Sequence, residues 1–159
     1  MEKIVIGLII FFAIGLSACN NTTTKQDNLN KTQKIDKMNN LISIVEIPTA
    51  DFSRAMKFYQ SILNVNIEEI DMDGTLMGVL PNEEGTVNVC LVKGNDYKPT
   101  TDGAVVYLNA GNDLQPMLDK VLQNGGEVIV PKTEISPEIG FFAQFIDTEG
   151  NRLGLHSIN

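Results

Sequence analysis

The residues with the most reactive side chains are few and far apart: one histidine, His156, and two cysteines, Cys19 and Cys90. A single imidazole cannot furnish the paired-histidine ligand sets of common catalytic metal sites. Cys19 closes the run Leu16-Ser17-Ala18-Cys19. That run has the form of a bacterial lipobox, so the chemistry expected of its thiol is attachment of a diacylglyceryl group, with cleavage just before it. Cys90 is then left without a disulfide partner. In an apolar run it reads as a small buried hydrophobe, although beside His156 it would be a candidate nucleophile. The chain carries no phosphate loop, dinucleotide fingerprint or serine-hydrolase elbow.

The segments around these residues set the organisation. Met1-Glu2-Lys3 precedes an almost unbroken apolar run from Ile4 to Ile14, too short to span a bilayer that needs about 20 residues and of the length of a signal-peptide core. Residues 1–18 are therefore expected to be a lipoprotein signal sequence, and 19–40 an acylated cysteine followed by a tether. Between Asn20 and Asn40 only Leu29, Ile35 and Met38 are large and apolar, too little to offset the entropy of ordering the segment. As a coil it would hold the following domain on the order of 25 Å from the lipid. Two or three acyl chains suffice for stable attachment, since each buried methylene contributes about 0.8 kcal/mol. The expected location is the cell envelope, outside the cytoplasm, with the membrane as a partner through the anchor.

Charge is divided along the chain. The net charge is −8, yet Lys25, Lys31, Lys34 and Lys37 against Asp27 and Asp36 leave the tether at +2, and Glu2 and Lys3 cancel, so the remainder carries −10. Nucleic acid is thereby excluded as a partner, because phosphate binding needs clustered Lys and Arg.

Leu41 to Asn159 is long enough for one domain with a real core, and it reads as one plan written twice. Ile42–Pro48 is β-rich. Asp51 offers an N-cap to a helix whose apolar positions Phe52, Ala55, Met56, Tyr59, Ile62 and Leu63 follow helical spacing. Strands are expected at 65–70, 75–80 and 86–93, punctuated by Asp73-Gly74 and by Asn82-Glu83-Glu84-Gly85. The second copy opens with a strand at 104–110. Asn112 or Asp113 then caps a helix with Leu114, Met117, Leu118, Val121 and Leu122 on one face, ended by Gly125-Gly126. Strands at 127–131, 140–147 and 152–157 complete it.

Val45-Glu46-Ile47-Pro48, Asp51, Arg54-Ala55, Phe58-Tyr59, Val105-Val106-Tyr107-Leu108-Asn109, Gly125-Gly126 and the terminal Asp147-x-Glu149-Gly150-Asn151-Arg152-x-Gly154-Leu155-His156-Ser157 together resemble the vicinal oxygen chelate superfamily, which includes glyoxalase I, bleomycin-resistance proteins and extradiol dioxygenases. The resemblance implies an α+β fold of two tandem β-α-β-β-β modules, about 41–95 and 103–159, forming an open barrel-like cavity. It also implies pairing of modules within a chain or across a homodimer. Metal-binding members place ligands on the first and last strands of each module, and the matching positions here are Ile44, Cys90, Val105 and Gly154. Three of these cannot coordinate, so no metal and no cofactor is expected.

If Ile44, Val105 and Gly154 point inward, strand alternation turns Glu46, Tyr107 and His156 inward as well. A carboxylate, a phenol and an imidazole around one space can bind a polar group, and Glu46 or His156 can move a proton. Phe141 and Phe145 share a face of their strand and offer an aromatic wall. The function expected is binding of a small organic molecule without metal. The alternatives are a metal-independent isomerase, epimerase or lyase, and an envelope interaction module.

Overall fold

In the computed structural model the described residues are 40–159; the expected signal sequence, Cys19 and all of the expected tether but Asn40 lie outside them. Strand β1 (Ile44–Pro48) leads into helix α1 (Phe52–Leu63), then β2 (Glu68–Met72), β3 (Thr75–Val79) and β4 (Asn88–Lys93). The second module repeats the order with β5 (Val106–Asn109), α2 (Gln115–Gln123), β6 (Glu127–Ser136), β7 (Gly140–Ile146) and β8 (Arg152–Ser157). Each module makes one four-stranded sheet, ordered β1-β4-β3-β2 and β5-β8-β7-β6. The first strand of each lies parallel to the last, and the other neighbours are antiparallel. The fold is α+β, and the two sheets are separate units that do not close into a barrel.

Helix α1 begins where expected. The Asp51 carboxylate accepts the Arg54 backbone N–H at 3.1 Å, and Asn64 closes the helix in the left-handed region at φ 56°, a conformation Asn tolerates. Its inner stripe of Phe52, Ala55, Phe58, Tyr59 and Ile62 is buried. Helix α2 differs in two details from its sequence pattern. Of the two candidate caps, Asp113 supplies the bond, accepting the Gln115 N–H at 2.9 Å, while Leu114 holds the cap position itself and is fully buried. Leu122, expected on the inner face, is 58% exposed; a nine-residue helix packs a narrower stripe, here Leu118 and Val121.

Both helices and one face of each sheet enclose a common core, with Phe58, Tyr59 and Leu91 from the first module against Leu114, Val121, Phe145 and Leu155 from the second. Phe58 stacks edge-on to Tyr59 and lies 6.3 Å from the Phe145 ring. Gly126 permits this closeness, since a Cβ there would stand 2.7 Å from Val121 and 3.2 Å from Phe58.

A polar knot ties the modules together at the turn between β7 and β8. Buried Asp147 accepts the Tyr59 hydroxyl at 2.7 Å, the Glu149 and Asn151 backbone N–H groups, and the Asn151 side-chain amide. Asn151 also donates to the Pro48 carbonyl at 2.8 Å. Glu149 reaches across to the start of α1, where its carboxylate accepts the Ala50 and Asp51 N–H groups and pairs with Arg54 at 2.8 Å.

Candidate functional site

Strand register decides which side chains leave the core. Leu108 pairs with Leu155 on the core face of the second sheet, so Tyr107, Asn109, Arg152, Gly154 and His156 share the opposite face. On β7, Ala143 and Phe145 belong to the core, and Phe142 and Gln144 lie opposite, beside His156 and Gly154. The aromatic wall expected of Phe141 and Phe145 is therefore corrected by one residue. Phe145 is fully buried and Phe141 packs against the core, whereas Phe142 is the ring that faces the open side.

That open side holds a cavity of about 350 Å³ lined by Tyr107, Ile135, Phe142 and His156. A second space of about 620 Å³ continues past Tyr107 and His156 to Asn109 and Ile158. Tyr107 is 42% exposed. Its ring meets Phe142 edge-on at 6.3 Å, and its oxygen accepts the Gln144 amide at 2.5 Å. With the acceptor side so engaged, the phenol proton points away from Gln144 and is available to a ligand. His156 Nε2 stands 2.9 Å from the Ile139 carbonyl. A carbonyl only accepts, so His156 donates from Nε2, and in its neutral form Nδ1 keeps a free lone pair.

Glu46 does not join this pair. It shares the outward face of β1 with Ile44, stands beside Cys90, and accepts the Tyr97 hydroxyl at 2.8 Å. Glu46 lines a different, smaller space at the seam of the modules. Cys90 is buried, and burial first, then the Glu46 charge, pushes its thiol above the usual range; it does not line the His156 cavity.

The positions that the resemblance matches to metal ligands do not fit a metal. Ile44 is 58% exposed and apolar. Gly154 has no donor, and the Tyr107 ring lies directly over it, so that any side chain at 154 would overlap the ring. Among the described residues no three His, Cys, Asp or Glu side chains gather closely enough to hold an ion. Sequence reasoning set Phe142 on the opposite face of its strand and kept Phe141 and Phe145 as the ligand-facing rings, because only the pairing of Phe142 with His156 settles which face is open. It missed Ile135, because Pro131 read as the end of β6. The strand instead runs on to Ser136 through irregular register on either side of Val130, and such irregularities tolerate proline.

Comparison with known proteins agrees with this architecture. Residues 41–155 match the model of the Glyoxalase/Bleomycin resistance protein/Dioxygenase superfamily, and the chain belongs to that family. A glyoxylase-like domain-containing protein from Didymella fabae is 33% identical over 119 residues, covering 69% of this chain and 88% of its own. Among solved structures, a glyoxalase I variant from Zea mays superposes with a TM-score of 0.59 at 18% identity over 73% of this chain; this chain spans only 45% of the maize protein. TnmS3, an antibiotic binding protein from Streptomyces sp. CB03234, superposes with a TM-score of 0.54 at 17% identity, covering 74% of this chain and 95% of its own. The fosfomycin resistance protein FosX from Listeria monocytogenes gives 0.53 at 18% identity, covering 74% and 90%. At these identities the superpositions concern the fold alone.

Proposed function

We propose that this chain is an extracytoplasmic bacterial lipoprotein, anchored through Cys19, whose glyoxalase-like domain binds a small, partly apolar organic molecule without metal. One observation carries the binding half of this reading: Tyr107 lies over Gly154, where the metal-binding pattern calls for a carboxylate, and there forms the floor of an open cavity with Phe142, Ile135 and His156. An aromatic floor with a phenol donor and an imidazole acceptor suits a planar or partly apolar ligand bearing one or two polar groups. The antibiotic-binding relative TnmS3 shares the fold and lends support to sequestration as the role. The net charge of −10 beyond the tether favours neutral or cationic ligands. That the space is open rather than filled by side chains weighs against a pure interaction module.

Thermal denaturation against a panel of metabolites and antibiotics tests this. At least one compound is expected to raise the unfolding midpoint, with a chelator leaving the shift unchanged and Tyr107→Ala removing it. A panel without any shift, or metal retained in stoichiometric amount after dialysis with activity tracking it, overturns the reading.

The second reading, a metal-independent isomerase, epimerase or lyase, is supported by the His156 geometry. With Nε2–H held by Ile139, Nδ1 can take a proton from a bound substrate. Turnover of a hemithioacetal, unchanged by nickel or zinc and lost in His156→Gln, would establish it. Homodimer formation is also part of the proposal. The outward face of the first sheet exposes Ile44, Ile70 and Met72, an apolar surface that a second copy would cover; light scattering at the mass of a monomer would refute it.

A further inference from the structure

A second site lies at the seam between the modules, apart from the Tyr107 cavity. A space of about 100 Å³ there is lined by Glu46, Thr100, Asp102, Asn151 and Arg152 among others. Arg152 stands out within it. Its Nε is enclosed and has no hydrogen-bond partner, the one such buried side-chain atom among the described residues. Nor does Arg152 take part in either ion pair found among them. An atom so enclosed is out of a ligand's reach, so it is the outer guanidinium nitrogens, which take part in no ion pair among the described residues, that are shaped to receive a carboxylate in this space.

The other walls define what such a carboxylate would have to bring with it. Asn151 is fully committed, taking the Thr100 N–H at 3.2 Å and donating to Pro48 and Asp147, so it forms a fixed wall rather than a contact. Glu46 uses one carboxylate oxygen for the Tyr97 hydroxyl; the other has no partner among the described residues. Asp102 engages Thr100 through its backbone only, which leaves its carboxylate open. A bare anion would face two carboxylates, and a bare cation would face the guanidinium. Only a ligand bearing both signs meets both.

We propose that this seam binds a small zwitterion of the α-amino acid class, its carboxylate on Arg152 and its ammonium facing Glu46 and Asp102. The volume limits it to a short side chain. The site is independent of the ligand proposed for the Tyr107 cavity.

The test is a titration of the full-length, isotope-labelled chain with glycine, followed by NMR at the Arg152 Nε–H and the Thr100 and Asp102 amides. Saturable shifts at all three are expected, with acetate and methylammonium each binding at least ten-fold more weakly. Arg152→Gln should abolish the response. Asp102→Asn, at an exposed loop position, should weaken it about ten-fold, while Tyr107→Ala should leave it intact. No saturable shift with glycine, or acetate binding as tightly as glycine, overturns the proposal.

Discussion

The ring of Tyr107 lies across Gly154, its lateral neighbour on β8, so closely that even a methyl group on Gly154 would overlap it. The two residues are thus a matched pair: the absence of a side chain at one position makes room for the aromatic floor at the other. Gly154→Ala should destabilise the domain by about 1–3 kcal/mol, the cost of overpacking, and weaken binding in the cavity. In a Tyr107→Ala background the same change should cost little, leaving a coupling energy that a double-mutant cycle by urea denaturation can measure. An additive cycle would mean that the ring does not rest on Gly154.

The Glu149–Arg54 pair gives the domain an acid-sensitive joint. Glu149 has no solvent exposure of its side chain, and Arg54 is half exposed. Burial pulls the Glu149 carboxyl upward, but the Arg54 hydrogen bond and charge and the Asp51 and Ala50 N–H groups outweigh it and hold the group below its ordinary range. A carboxylate so depressed stabilises the fold above its unfolded value of about 4.3, and that contribution is lost as pH falls through the lower, folded value. Glu149→Gln should cost about 1–2 kcal/mol at neutral pH and flatten the acid limb of stability against pH. Urea midpoints measured from pH 3 to pH 7 would show it; parallel curves for the two proteins would contradict the assignment.

Tyr59 and Asp147 join helix α1 of the first module to the β7–β8 turn of the second. Burial, then the Asp147 charge and hydrogen bond, raises the phenol well above its usual range, so it stays a neutral donor. Tyr59→Phe should cost about 1.5–3 kcal/mol, as expected for a lost bond to a charged group. Since Asp147 keeps its other three donors, the variant should fold. Equilibrium unfolding with an unchanged circular dichroism spectrum is the check.

The order of elements was legible because Phe52, Ala55, Tyr59 and Ile62 keep helical spacing and because Asp73-Gly74 and Glu149-Gly150 mark turns. The faces of β5 and β8 were legible too: alternation placed Tyr107 and His156 on one side, as the register does. What alternation could not supply was distance across the sheets. Glu46 obeys the same parity as Tyr107 yet lines a different space, bonded to Tyr97 from the inter-module link. The face of β7 was likewise ambiguous, since Phe141, Phe142 and Phe145 are equally apolar and only pairing with β8 separates them. Arg152 was legible only as one position of the terminal motif, with no sign of a binding role, because that role lies in the partners it lacks.

The anchor can be tested by counting thiols, because the chain has only two cysteines. Cys90 is 5% exposed, and burial raises its pKa, so the folded protein should react slowly with a disulfide reagent, which needs an accessible thiolate. In denaturant Cys90 becomes fully reactive. If Cys19 carries a diacylglyceryl group on its sulfur, the protein extracted from membranes should titrate one thiol per chain when unfolded, and its intact mass should correspond to cleavage before Cys19 with added lipid. If the apolar run from Ile4 to Ile14 is instead an uncleaved anchor, the unfolded chain should titrate two thiols and begin at Met1. Cys19→Ala separates the models again: it should yield an uncleaved precursor or a soluble domain under the lipoprotein proposal, and unchanged membrane retention under the other. Two reactive thiols on the membrane-extracted wild type would end the lipoprotein proposal, whatever the cavity binds.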